Sequence, residues 1–290
     1  MRIFNHIEKP LLNIIYFNIL IFVLINFFKI LSTLMVWQNG DSVNQIIYEY
    51  LGLSSNINVL ISHPWTLITH MFTHLDIIHL LSNLIWLYFG GKIFLNYLSK
   101  KEFFSTYVMG GLFGAITYVI FFNVFPVFKI IDINITAMGA SAAAFAILIA
   151  SASHVPNLSI PIIALQKIKL KYIAVFAVMI NYFFMPSALE NLDHGNIGGY
   201  IAHLGGAFYG YIFINMRKKN INMGYIIDKI IELFYTKKIT SQTRRNESDY
   251  DYNARKVAEE KRINNILEKI SQSGYESLSK EEKEELFNQK

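Results

Sequence analysis

Six long apolar stretches dominate the first 236 residues of this 290-residue chain. They cover approximately 11–36, 77–98, 103–125, 139–155, 171–188 and 198–216. A helix of about 20 apolar residues can cross the hydrocarbon core of a bilayer, and the fourth stretch is short by that measure. The pattern predicts an all-α, polytopic membrane protein with six crossings, and it excludes an all-soluble enzyme.

Charged residues are concentrated at the C-terminal end of the chain. Residues 237–290 hold 12 of the 26 Lys and Arg residues and 11 of the 21 Asp and Glu residues. We therefore predict a membrane domain over 1–219, an amphipathic helix on the membrane surface over 220–236, and a charged cytoplasmic tail over 237–290. The tail is expected to be helical around 253–271. The chain has no cysteine, which excludes a disulfide scaffold and any thiolate site.

The positive charges of the first 236 residues alternate between the predicted loops. Basic residues near the ends of the stretches are Arg2, Lys9, Lys100, Lys101, Lys167, Lys169, Lys171, Arg217, Lys218 and Lys219. The loops at 37–76 and 189–200 contain no Lys or Arg, and Lys129 is the one exception to the alternation. The positive-inside rule then predicts both termini in the cytoplasm, with the first stretch retained as an anchor. Because the basic clusters fit membrane orientation, we expect no nucleic-acid partner despite the pI of about 9.1.

Two polar residues within the apolar stretches have the chemistry of a nucleophile and its base. Ser141 opens the short fourth stretch, where the N–H groups of a helix N-terminus have no partner within the helix. His203 lies in the sixth stretch, and a neutral imidazole can accept a hydroxyl proton near pH 7. Structural alternatives exist for both residues: a membrane serine often bonds a carbonyl of its own helix, and a buried histidine can bond the backbone.

Small residues repeat every four positions in both of these stretches. The two stripes are Ala142, Ala146 and Ala150 in the fourth stretch, and Ala202, Gly206 and Gly210 in the sixth. Such stripes let two helix backbones approach closely. If the stripes face each other, the Ser141 hydroxyl and the His203 imidazole can meet, although packing alone would also explain them.

Three further residues share helix faces with this pair or with each other. His79 and Asn83 are four residues apart in the second stretch, and both can donate hydrogen bonds to a developing oxyanion. They could equally make contacts between helices. Phe145 follows Ser141 by four residues, so it could stack on His203 or belong to the core. No carboxylate in a membrane stretch is placed to orient the histidine, which favours a Ser–His pair over a triad.

A metal site is the alternative use of the histidines. His70, His74 and His79 lie close together in sequence, and histidines four residues apart can share a metal ion. The segment reads HMFTH, without the glutamate of the HExxH motif. We therefore expect neither a metal nor another cofactor.

The chain resembles rhomboid intramembrane serine proteases over roughly residues 60–215. The resemblance depends on four motifs in order, together with the glycine-rich MGGLFG at 109–114. The motifs are HPWTLITHMFTH (63–74), HLLSN (79–83), GASAAAF (139–145) and AHLGGAFYG (202–210). It implies a six-helix bundle around a water-filled cavity, with Ser141 as nucleophile and His203 as general base. It also implies an oxyanion hole formed by His79, Asn83 and the Ser141 N–H.

The resemblance implies supporting roles as well. Gly139 would belong to the GxS motif, Phe145 would stack on the histidine, and Phe183 and Phe184 would lie at a lateral gate formed by the fifth stretch. One departure is Ala142, because many family members have glycine after the serine. A methyl group there narrows the cavity but leaves the nucleophile in place.

The prediction is an intramembrane serine endopeptidase that cleaves single-span membrane proteins near the outer face of a bacterial plasma membrane. Three rival functions are considered. A non-catalytic relative would bind membrane proteins, a transporter would conduct through the cavity, and a metal-dependent hydrolase would be inhibited by chelators.

Overall fold

The computed structural model describes residues 8–35, 40–131, 135–163, 166–190 and 197–225, and isolated positions beyond them. Most of the described chain is helical. In chain order the helices are α1 (Lys9–Leu34), α2 (Gly40–Tyr50), α3 (Ile57–Ser62), α4 (Thr66–Thr69), α5 (Ile77–Tyr97), α6 (Lys100–Val124), α7 (Pro126–Ile131), α8 (Ser141–His154), α9 (Leu170–Glu190) and α10 (Ile197–Lys218). Two 3₁₀ turns are described, over His70–Phe72 and over Tyr275–Ser277.

Each of the six predicted apolar stretches forms a helix, with ends that differ from the prediction by at most three residues. Five of these helices, α1, α5, α6, α9 and α10, are long and apolar enough to cross a bilayer. Helix α8 is apolar but has only 14 residues. The predicted all-α membrane class is confirmed, since the described chain is mostly helical, while the count of six crossings stays a prediction.

Local sequence signals explain where α5 and α6 begin. The Asp76 carboxylate accepts a hydrogen bond from the His79 N–H at 2.9 Å and caps α5. Ser99 and Glu102 form a capping box at the start of α6, in which each side chain bonds the other residue's backbone N–H. Both caps fix the first turn of their helix, and only two residues, Leu98 and Ser99, separate the end of α5 from the start of α6.

Helix α8 lies at the centre of the bundle. Ten of its 14 residues are buried, against α5, α6 and α10. A Cβ atom added at Gly206 would lie less than 3.0 Å from the Ala142 carbonyl oxygen, and one at Gly210 would be equally close to the Ala146 carbonyl oxygen. The two small-residue stripes therefore face each other, as the spacing predicts.

The outer helices expose large apolar side chains. Only 17% of the apolar stretch of α1 and 22% of that of α9 is buried inside the protein, against 61% for α10. Phe27 on α1 and Phe183 on α9 are among the exposed rings. Because an aqueous surface would disfavour so much apolar area, this pattern indicates a surface that contacts lipid.

Ion pairs bring three charged segments to one end of the bundle. Glu8 pairs with Lys100 at 2.8 Å, and Glu102 pairs with Arg217. The start of α1, the start of α6 and the end of α10 therefore lie on the same side. The start of α5 lies on the opposite side, since α5 ends only a short turn before Lys100.

Two small antiparallel pairs of strands were not predicted. Strand β1 (Leu53–Ser54) pairs with β2 (Thr136–Ala137), which attaches the long first loop to the segment before α8. Strands β3 (Ser159–Ile163) and β4 (Gln166–Lys169) form a hairpin between α8 and α9.

The chain divides into one unit over Met1–Glu232 and another over Leu233–Lys290. In the second unit, Lys269 pairs with Glu282 at 2.9 Å. Most of the surface helix predicted over 220–236, and most of the helix predicted around 253–271, lies outside the described residues.

Candidate active site

The segment just before α8 is shaped by a glycine and two hydrogen bonds. Gly139 has φ of +117°, which side chains of L-residues rarely allow. Its N–H donates to the His70 carbonyl oxygen at 2.8 Å, and the Ala140 N–H donates to His74 Nε2 at 3.3 Å. The HMFTH segment therefore anchors the turn that leads into Ser141.

His79 and Asn83 converge on the same turn. A Cβ atom at Gly139 would lie 2.9 Å from His79 Nε2 and 3.3 Å from Asn83 Nδ2. The Asn83 amide donates one hydrogen bond to the His79 carbonyl oxygen at 2.9 Å. Since an amide nitrogen carries two hydrogens, one remains for another acceptor. An imidazole nitrogen that can donate in one tautomer and a free amide hydrogen therefore lie beside Gly139, two positions before Ser141.

Ser141 is the first residue of α8, and its side chain is partly buried. Ala140 precedes it as the N-cap residue without a side-chain cap. The first helical hydrogen bond is donated by Ala144 to the Ala140 carbonyl oxygen at 2.9 Å. The Ser141 N–H is therefore one of the helix N-terminal donors that have no partner within the helix.

His203 on α10 is held by two contacts. Its ring stacks on Phe145, with centroids 4.6 Å apart and planes 7° from parallel. Its Nδ1 is 2.5 Å from Asn181 Oδ1 on α9. Its Nε2 is buried and has no hydrogen-bond partner among the described residues, Ser141 included. The unpaired nitrogen is therefore the one that could accept a proton.

Asn181 was missed by the sequence reasoning, which considered only carboxylates as partners for the histidine. The available signal was a strongly polar residue inside the apolar stretch 171–188. Its spacing from His203 gave no indication of contact, because the loop between α9 and α10 has no fixed geometry in sequence. Phe183 and Phe184, on the same helix, are exposed on its outer surface.

A family model for the Rhomboid domain matches residues 62–219, which is more than half of the chain. The chain belongs to the rhomboid family. The match contains α5 to α10 and every residue of the candidate site. Rhomboid domains are typical of intramembrane serine proteases, and the family also includes non-catalytic members.

Two further comparisons concern the tail and the whole chain. A model of a family of unknown function matches residues 247–288 of this rhomboid. A search of curated proteins finds no match to the chain.

The histidines of the HMFTH segment have hydrogen-bond partners in this rhomboid. His70 Nδ1 is 2.8 Å from the Thr66 carbonyl oxygen, and His74 accepts from Ala140 as described above. Among the residues that the structure describes, no group of three or more His, Asp or Glu side chains could hold a metal ion. Both histidines can therefore be explained as supports of the first loop and of the turn before α8.

Acidification should destabilise this support. Burial lowers the pKa of both His70 and His74 from 6.5 to about 4. Between these values the unfolded chain binds protons that the folded chain does not, so stability falls as pH drops from 6.5 towards 4. Each histidine should contribute a slope of up to about 1.4 kcal/mol per pH unit. Unfolding in detergent at pH 7 and pH 5 measures the loss, which should be smaller in His74→Gln. An equal loss in that variant would contradict the assignment to His74.

Proposed function

We propose that this rhomboid is an intramembrane serine endopeptidase, with Ser141 as the nucleophile and His203 as the general base. The observation that carries the proposal is the environment of the His203 ring. Its ring is stacked one turn along α8 from Ser141, Nδ1 is engaged by Asn181, and Nε2 is buried and unpaired. A base needs an available lone pair at a fixed position, and Nε2 supplies both.

The reaction would proceed in two halves. Ser141 Oγ attacks the carbonyl carbon of the scissile peptide bond while its proton passes to His203 Nε2. The tetrahedral intermediate collapses, the C–N bond breaks, and the Nε2 proton goes to the leaving amine. Water then attacks the Ser141 ester, gives its proton to Nε2, and releases the second product as Ser141 takes the proton back.

Hydrogen-bond donors beside Ser141 would stabilise the oxyanion in both halves. The Ser141 N–H, His79 Nε2 and the free hydrogen of Asn83 Nδ2 are the candidates, since both side chains contact the Gly139 turn. Removal of a single donor of this kind lowers kcat by about 10²- to 10³-fold in serine proteases. The Ser141 hydroxyl must still come within hydrogen-bond distance of Nε2, which substrate binding can promote.

The expected substrates are single-span membrane proteins that reach the site from the lipid. The start of α8 lies among the spanning helices, and α9 beside it has a largely exposed outer surface. With Lys- and Arg-rich loops in the cytoplasm, both termini are cytoplasmic and the site faces the outer half of a bacterial plasma membrane. No metal or other cofactor takes part.

A non-catalytic function is the second candidate, because Ser141 Oγ and His203 Nε2 are not hydrogen-bonded in this structure. Such a rhomboid would bind membrane proteins at the same site without cleaving them. The two candidate functions predict different reactivities of the Ser141 hydroxyl: it is nucleophilic in a protease and unreactive in a non-catalytic binder.

A fluorophosphonate probe tests the reactivity of Ser141. The serine oxygen forms a bond to phosphorus, fluoride leaves, and His203 takes the hydroxyl proton. Purified protein in detergent should incorporate one probe per molecule, and peptide mass spectrometry should locate it on Ser141. His203→Ala should react much more slowly, whereas Ser153→Ala, near the other end of α8, should react like the wild type. Absent labelling, or labelling of another residue, would contradict the proposal.

A further inference from the structure

The buried side-chain amide of Asn181 on α9 contacts His203, the candidate base, on α10. We propose that Asn181 is a positioning residue: it holds His203 with Nε2 ready to accept a proton, and its place on α9 makes the base depend on the position of that helix. The inference rests on the proposed function of Ser141 and His203, which alone would form a two-residue catalytic unit.

The orientation of the Asn181 amide is determined by a second hydrogen bond. Its side chain is 3% exposed. Its Nδ2 donates to the Ala177 carbonyl oxygen at 2.7 Å, so the amide oxygen is the atom directed at His203. An amide oxygen only accepts hydrogen bonds, and therefore Nδ1 of His203 must donate. In the neutral imidazole the proton then resides on Nδ1, and Nε2 carries the lone pair.

Stacking on Phe145 cannot select this state by itself. A ring that rotates by half a turn about its χ2 bond stays parallel to Phe145, yet Nδ1 and Cδ2 exchange places. Stacking also does not depend on which of the two ring nitrogens carries the proton, because both neutral tautomers have the same planar ring. The bond from Nδ1 to Asn181 removes both ambiguities, since only one ring orientation and one tautomer can donate to the amide oxygen.

The location of Asn181 links the base to α9. Phe145 and His203 belong to α8 and α10, which pack tightly, whereas α9 is the less buried neighbour of both. Its inner side carries the small buried residues Ala174 and Ala177, and its outer side exposes Phe176 and Phe183. An outward shift of α9 would therefore break the bond to His203 and leave the stacking intact. Transfer of the Ser141 proton to His203 Nε2 then requires α9 to pack against α10, so that Asn181 can bond Nδ1.

Substitution of Asn181 in the full-length protein tests the positioning role. Asn181→Leu keeps the approximate volume and removes the acceptor, and it should lower kcat at pH 7 by at least about 10-fold, with a smaller effect on KM. Asn181→Asp should retain most activity, and the acid limb of its kcat profile should move to higher pH, because a carboxylate stabilises the imidazolium. Asn215→Leu is the matched control, since the Asn215 amide donates to the Tyr211 carbonyl oxygen of its own helix.

The protonation of the two His203 nitrogens can be measured without catalytic turnover. This measurement tests the positioning role of Asn181 independently of the proposed function. In ¹⁵N-histidine-labelled protein, the His203 signals are assigned by their loss in His203→Ala. The wild type should show a protonated Nδ1 and an unprotonated Nε2, whereas Asn181→Leu should show averaged tautomers. Unchanged signals and unchanged kcat in Asn181→Leu would overturn the inference while Ser141 remains reactive. If Ser141 proves unreactive but the signals change as expected, the proposed function fails and the positioning of His203 stands.

Discussion

Replacing His203 with alanine should reduce kcat on a single-span membrane substrate by about 10²- to 10⁴-fold, the usual contribution of a general base. The residual rate would come from binding and from the oxyanion donors at the Gly139 turn. The loss should appear mainly in kcat, because the imidazole acts on a proton that moves only during the reaction. Initial cleavage rates in proteoliposomes over a range of substrate concentrations measure both constants.

His154→Ala is the matched control for this loss. His154 lies at the far end of α8, where its ring is near Tyr97 and remote from the Gly139 turn. This variant should cleave like the wild type, and both variants should keep the thermal midpoint within a few degrees. Equal rates for His203→Ala and wild type would contradict the assignment of His203 as the base.

Replacing Gly206 with alanine should cause a large loss of stability, together with a loss of activity. The added methyl group would lie less than 3.0 Å from the Ala142 carbonyl oxygen, and a backbone atom cannot rotate out of the way. Overpacking of this kind costs about 1–3 kcal/mol, and more where the backbone must shift. Because Ala142 follows Ser141, separating α8 from α10 should also move the nucleophile away from His203. Unfolding by detergent titration and cleavage rates measure the two effects.

Gly90→Ala provides the comparison within the same bundle. Gly90 on α5 also faces α8, but a Cβ atom there would lie 3.2 Å from the nearest Leu148 atoms, so small adjustments suffice. Gly90→Ala should therefore cost much less stability and leave Ser141 in place. Equal stability losses in the two variants would mean that the Gly206 contact does not set the spacing of α8 and α10.

Much of the bundle could be predicted from sequence because a bilayer imposes strict rules. A spanning helix must be apolar and about 20 residues long, so the stretches predicted the helix positions to within three residues. The close approach of α8 and α10 followed from the four-residue spacing of Ala142, Ala146, Gly206 and Gly210. The stacking of Phe145 on His203 agrees with a helix face shared with Ser141, although spacing alone also allowed a core residue.

Contacts between residues distant in sequence could not be predicted. The bond between Asn181 and His203 depends on the angle at which α9 packs against α10. No periodic pattern in the sequence of either helix fixes that angle. The pairing of β1 with β2 involves strands of two residues, which are too short to leave an alternating pattern. A metal site at His70 and His74 had to be weighed as an alternative, because sequence shows the spacing of the histidines but not the backbone groups that their rings bond.

The most direct test of the account is the dependence of membrane-protein cleavage on Ser141. Wild type, Ser141→Ala and Ser153→Ala are each reconstituted with a single-span substrate, with and without a chelator, and the fragments are measured by mass spectrometry. We expect wild type and Ser153→Ala to cut the substrate within or beside its membrane segment at equal rates, unaffected by chelator, and Ser141→Ala to produce no fragments. Cleavage that persists in folded Ser141→Ala protein would contradict the central claim.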